Sequence, residues 1–128
     1  MASLYNRNLE YRNISFNLSE EITITTIDDF CVSQNILKID FLKLDVEGHE
    51  LNILLGAKNM LDSDKIKFIQ FEFGGCNIDS RTYFKDFFTL LNGKYRIYRI
   101  LQDGLLEIGY YRETLEIFTT TNFFAIHR

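Results

Sequence analysis

The stretch Phe41-Leu42-Lys43-Leu44-Asp45-Val46-Glu47-Gly48-His49-Glu50 decides how this chain is read. Phe41, Leu42, Leu44 and Val46 make a mostly apolar strand that runs into an acidic, glycine-containing end. Side chains alternate along a strand, so Lys43 and Asp45 share a face. Glu47 falls at the strand-to-helix turn, where Gly48 lets the backbone bend sharply. His49 and Glu50 then begin a helix. An acid in a first helical turn gains roughly 0.3–1 kcal/mol from the helix dipole, the plain reading of Glu50.

Outward from this stretch, HELNILLGAKNML follows at helical spacing, with Leu51, Leu54, Leu55, Ala57 and Leu61 on one apolar stripe. Gly56 within that helix costs about 1 kcal/mol against Ala, which points to close packing on a neighbouring sheet. KFIQFEFGG reads as a second apolar strand, ending in Gly74-Gly75. Asp79 or Ser80 is expected to cap the helix RTYFKDFFTLLNG, whose buried face is Phe84, Phe87, Phe88 and Leu91 and which stops at Asn92-Gly93. YRIYRILQDGLLEIGY reads as a hairpin around Asp103-Gly104, and EIFTTTNFFAIHR as a long final strand. Upstream, residues 10–17 and 21–27 read as two strands around Leu18-Ser19-Glu20. Ile22 and Ile24 alternate there with Thr23 and Thr25, and Asp28 or Asp29 caps a short helix through about Ser33.

The resulting order is β-β-(α)-β-α-β-α-β-β-β. Its middle is the pattern of a parallel sheet with crossover helices, and its last three strands are expected as antiparallel additions at the edge. The fold class is therefore α/β. Open sheets of this class bind ligands beyond the carboxyl ends of their parallel strands. Two acidic groups fall there: the run from Asp45 to Glu50, and Glu72 before Gly74-Gly75. Carboxylates gathered at one edge repel and desolvate one another, which raises their pKa values and suits general-base work or cation binding. Solvated caps and turns would read the same way. Lys43 is unusual in an apolar strand, and it either pairs with Asp45 or Glu72 or points into a cleft. His49 with Asp45 and Glu47 would make a metal set, but no HExxH pattern is present and no second histidine lies nearby, so no metal is expected. His127, at the C-terminus, reads as a surface residue.

The 128 residues suffice for one domain, 1–128, and 46% hydrophobic with 25% charged is an ordinary globular balance. With 12 Phe and 7 Tyr a sizeable core can be buried. A net charge of −4 argues against a general nucleic-acid binder, which needs a basic face. Cys31 and Cys76 have no CxxC spacing and read as buried free thiols of a reducing compartment. No signal-peptide core and no apolar run of membrane-spanning length occurs, so the expected location is cytoplasmic, away from membranes. None of the 7 glycines forms G-x-G-x-x-G or G-x-x-x-x-G-K-[ST], the turns that self-contained nucleotide-binding folds usually carry.

The run Ile39 to Glu50, followed by Ile53-Leu54-Leu55-Gly56-Ala57, resembles the FkbM family of S-adenosylmethionine-dependent methyltransferases. That family has a strand ending in Lys-x-Asp-x-Glu-Gly-x-Glu and a helix containing Leu-x-Gly-Ala. Thr26-Ile27-Asp28-Asp29-Phe30 is similar to the family's strand ending in paired aspartates, and Phe68 to Phe73 to its next strand, which ends in an acid. The likeness covers nearly the whole chain. It implies a class I (Rossmann-like) methyltransferase fold and transfer of a methyl group, typically to oxygen, from S-adenosylmethionine to a small-molecule acceptor. By that analogy Asp45 or Glu47 orients or deprotonates the acceptor hydroxyl, Lys43 and Glu72 position them, and Asp28 approaches the cofactor.

The family's earlier half, with an Asp-x-Gly-Ala-Asn-x-Gly type of turn that cradles the cofactor, has no counterpart here. The resemblance therefore implies the C-terminal portion of such a domain, with the cofactor-binding half absent. The alternative is a non-catalytic interaction module derived from the fold. Either way an exposed sheet edge is expected to invite self-association or a separate N-terminal half. A metal-dependent hydrolase using Asp45, Glu47 and His49 is a further alternative.

Overall fold

The two apolar runs at the centre of the sequence form the parallel pair on which the rest is built. The structure, a computed structural model, describes Leu4, Tyr5, Asn13 and residues 19–128. In chain order the elements are α1 (Ile27–Ser33), β1 (Ile39–Leu44), α2 (Glu50–Leu55), α3 (Lys58–Asp62), β2 (Ile66–Phe73), α4 (Cys76–Ser80), α5 (Phe84–Leu91), β3 (Tyr95–Leu101), β4 (Gly104–Ile108) and β5 (Thr121–His127), with a 3-10 turn at Glu113–Leu115. The strands form a five-stranded mixed sheet in the order β1-β2-β5-β3-β4. β1 and β2 are parallel, with Lys43 level with Gln70 and Leu44 with Phe71. β5 is antiparallel to both β2 and β3, and β3 and β4 form the expected hairpin.

The α/β reading holds, and the strand order departs from expectation in one respect. The final strand is not an edge addition: β5 inserts between β2 and β3. Its composition suits an interior strand, because Phe123 and Ala125 are buried and both its neighbours supply apolar partners. It is also shorter than expected: residues 116–120 are irregular, and Glu116 is engaged at the start of α5.

Burial alternates along the central strands. Ile69, Phe71, Phe73, Phe123 and Ala125 are buried on one face. Helix α5 covers that face with Phe84, Phe87, Phe88 and Leu91, all four buried as their helical spacing requires. Phe71 and Phe87 stack with ring centroids 4.7 Å apart and planes 2° from parallel. Burying each such ring contributes about 1.5–3 kcal/mol. On the opposite face Phe68, Gln70, Glu72, Asn122 and Phe124 are only half-buried. Phe124 there meets Phe68 at 5.7 Å and Phe41 at 6.2 Å, and Phe41 is 51% exposed. Among the described residues no strand pairs with the outer side of β1.

Several local expectations are corrected. Residues 21–26 form no strand, and Ile22 and Ile24 are exposed; alternation supports a strand only where a neighbour completes the ladder. The expected partner at 10–17 lies outside the described residues, Asn13 apart. Thr26, rather than Asp28 or Asp29, caps α1: its Oγ1 accepts from the Asp29 amide at 3.0 Å. The helix expected over 49–61 is two helices, broken at Gly56-Ala57, so Leu55 turns out to solvent. Gly56 packs against Thr26 rather than the sheet: a Cβ there would lie 3.3 Å from the Thr26 Cβ. Asp79 and Ser80 do not cap the following helix but belong to α4. The chain then turns at Arg81 (φ 56°) and restarts at Phe84. The N-terminus of α5 is held instead by Glu116, whose carboxylate accepts from the amides of Phe84 (2.8 Å) and Lys85 (3.0 Å). No helix among the described residues is long and apolar enough to cross a membrane.

Candidate active site

The carboxyl ends of β1 and β2 deliver two turns side by side. The turn after β1 has two unusual backbone conformations in succession, Glu47 at φ 54° and Gly48 at φ 102°. A side chain on Gly48 would put its Cβ 2.8 Å from the carbonyl oxygen of Cys76, in the turn after β2, so only glycine fits. The same two turns meet through side chains: the Cys76 thiol donates to Glu47 Oε2 at 2.9 Å.

Around this junction the structure gathers the carboxylates of Asp45, Glu47, Glu50 and Glu72. Lys43 and Gln70 are level in the parallel register, and two residues further on Asp45 comes level with Glu72 on the same face. Burial raises the Glu72 pKa above its ordinary value, and the charges of Asp45, Glu47 and Glu50 raise it further, against a smaller opposing effect of Lys43. The cluster of acids inferred from the sequence is therefore electrostatically coupled in space.

Lys43 takes the first of its expected options. Its ammonium donates to Asp45 Oδ2 at 3.1 Å, with both side chains about half exposed (53% and 52%). Such a pair contributes little stability, 0–1 kcal/mol at most, but it orients Asp45. His49 turns away from the acids: its Nδ1 lies 3.2 Å from the hydroxyl of Tyr5 and 3.2 Å from the side-chain nitrogen of Asn52. Among the described residues no group of three His, Cys, Asp or Glu side chains is arranged to hold a metal ion.

Asp28 has other employment. Its two carboxylate oxygens accept from the amides of Asn59 (2.8 Å) and Met60 (3.0 Å), capping α3, while its own amide donates to the Gly56 carbonyl at 3.0 Å. It ties α1 to α3 through both its carboxylate and its backbone.

Two residues at this edge make contacts that the sequence does not show. Cys76 carries no sequence signal, because its partner is brought to it only by the pairing of β1 with β2. Glu50 does open the first turn of α2, as its place in the sequence suggests, but it is 1% exposed. Its Oε1 accepts from the amides of Val46 (2.9 Å) and Gly48 (3.3 Å). The two cysteines are free and buried, as expected, and burial raises the Cys31 thiol pKa, with the Asp28 charge adding to it.

A parallel pair with crossover helices, carrying a carboxylate cluster at the strand ends, defines an α/β protein with an acidic edge where open sheets of this class hold ligands. Residues 7–100 match the methyltransferase FkbM domain, and this chain belongs to that family. Membership points to methyltransferase activity, and the family generally uses S-adenosylmethionine. Comparisons with curated proteins and with solved structures give no significant match.

Proposed function

We propose that this chain takes part in methyl transfer from S-adenosylmethionine to a hydroxyl group of a small molecule, and that its acidic edge holds the acceptor. The observation that carries this reading is the convergence of Asp45, Glu47 and Glu72 beyond the carboxyl ends of two parallel strands, with Glu72 raised in pKa. Asp45 or Glu47 orients the acceptor hydroxyl and takes its proton, Lys43 holds Asp45, and Glu72 shares the negative charge of the edge. Transfers of this kind depend mainly on holding the oxygen in line with the methyl group, which S-adenosylmethionine supplies when bound.

The side chains fit the acceptor better than the whole cofactor. They offer carboxylate oxygens for hydroxyl and amino donors, whereas no glycine-rich turn is present for the nucleotide end. The reading is of the acceptor-side portion of a class I sheet, supported by the parallel β1–β2 pair.

The test is transfer of labelled methyl from S-adenosylmethionine to a panel of hydroxylated small molecules, with Asp45→Asn and Glu47→Gln beside the parent. The reading expects a loss of about 10²-fold or more in at least one variant at unchanged fold. Variants as active as the parent would sink the assignment.

The second reading, an interaction module, is favoured by the edge of β1, which no strand among the described residues pairs with, and by the aromatic row of exposed Phe41 and half-buried Phe68 and Phe124. A second copy, or a separate polypeptide supplying the first half of the sheet, would cover both. Light scattering tests it: concentration-dependent association weakened by Phe41→Lys supports it, and a monomer at all concentrations with no added half binding counts against it.

A further inference from the structure

The backbone of the acidic edge is held in a conformation that its own sequence disfavours. Glu47, a non-glycine residue, sits at φ 54°, directly before Gly48 at φ 102°. Single residues of this kind are unfavourable and persist only where the surroundings over-determine them. Two contacts do so here. From below, Glu50 Oε1 gathers the amides of Val46 and Gly48, at 2.9 and 3.3 Å, which flank Glu47. From the side, the Cys76 thiol meets the Glu47 carboxylate at 2.9 Å.

Glu50 meets this need at a cost. The side chain is 1% exposed, and among the described residues its Oε2 has no hydrogen-bond partner. A buried carboxylate oxygen without a donor is unfavourable, and a residue whose only task was to start a helix would be served as well by an exposed acid. The local geometry thus spends stability on fixing one turn.

We propose that Glu50 is the positioning residue of the acidic edge: by accepting from Val46 and Gly48 it fixes the left-handed backbone of Glu47 and so aims the Glu47 carboxylate at its place beside Cys76. Glu50 touches neither acceptor nor cofactor in this role, and acts only through Glu47. The proposal rests on reading Glu47 as part of the site, and it extends that reading to the residue that orients it.

The Cys76 thiol reports the placement without any acceptor or cofactor. In a Cys31→Ser background, alkylation of Cys76 by iodoacetamide is followed by mass spectrometry under conditions where each variant is fully folded by circular dichroism. Glu50→Gln keeps a carbonyl oxygen to accept both amides, and should react within about twofold of the parent. Glu50→Ala, and Glu50→Asp, which is one methylene too short to reach both amides, should react about tenfold faster, as expected for the loss of a hydrogen-bonded brace. Leu61→Ala, which weakens the core without touching the turn, is the control and should leave the rate near the parent's. Should Glu50→Ala fail to fold, Glu50→Asp and Glu50→Gln still decide the matter. Folded Ala or Asp variants reacting like the parent, a Gln variant reacting like Ala, or a control as fast as Glu50→Ala would each overturn the proposal. Because methyl transfer is not measured, a negative result here leaves the methyltransferase reading to its own test, and an inactive chain leaves this one standing.

Discussion

The thiol of Cys76 lies 2.9 Å from Oε2 of Glu47, 29 residues away in sequence, and joins the turn after β1 to the turn after β2. The backbones also pack closely: Gly48 has no room for a Cβ against the Cys76 carbonyl. Gly48→Ala adds that clash to a φ of 102°. It should cost about 2 kcal/mol or more in urea unfolding. A loss below about 0.5 kcal/mol would mean that the two turns are not packed in this way.

Glu72 gives the acidic edge a pH signature. Its folded pKa is raised, by burial first and by Asp45, Glu47 and Glu50 after it. For an acid raised in this direction, the stabilisation is fully present below the unfolded value and is lost as pH rises through the folded pKa. Glu72→Gln should therefore raise the melting temperature at pH 7 and change it little at pH 4 or below. An equal gain at both pH values would contradict the coupling.

Asp28 should behave as a helix cap. Asp28→Ala leaves the amides of Asn59 and Met60 without their acceptor, and is expected to cost ~1–2 kcal/mol in chemical unfolding. Calorimetric binding of S-adenosylmethionine, if the parent binds it, should keep its affinity in the folded variant. A selective loss of affinity at full stability would assign Asp28 to the cofactor site as well.

Tyr95 supplies a signature at high pH. Its hydroxyl donates to the Ile66 carbonyl at 2.8 Å, and its pKa is pushed up to about 12, by burial first and by the Asp64 charge second. Its contribution is therefore fully present below about pH 10 and lost as pH rises towards 12. Tyr95→Phe should be about 1 kcal/mol less stable than the parent at pH 7, with the gap narrowing above pH 10. A constant gap between pH 7 and pH 11.5 in urea titrations would refute this.

The features legible in the sequence were those with a local physical cause. The apolar runs of β1 and β2, the helical spacing of Phe84, Phe87, Phe88 and Leu91, and the Asp103-Gly104 hairpin each follow from periodicity or turn chemistry within a few residues. Failures came where distant residues decide. Thr26 packs on Gly56 at the point where the expected long helix breaks into α2 and α3. Glu116 caps α5 from 32 residues away, displacing Asp79 and Ser80 from that task. Ile22 and Ile24 alternate like a strand but pair with no strand among the described residues.

The acidic run from Phe41 to Glu50 divides along the same line. Sequence alone determined that a strand ends there, that Gly48 turns the chain, and that Asp45 and Glu47 reach an edge shared with Glu72, because alternation and glycine's backbone freedom act locally. Only the tertiary structure decided that Lys43 is bound to Asp45, that Cys76 meets Glu47, and that Glu50 lies buried beneath the turn. Those relationships depend on the register of β1 against β2 and on the packing of α2 behind them, which a hydrophobic pattern restricts to a face but does not resolve to an atom.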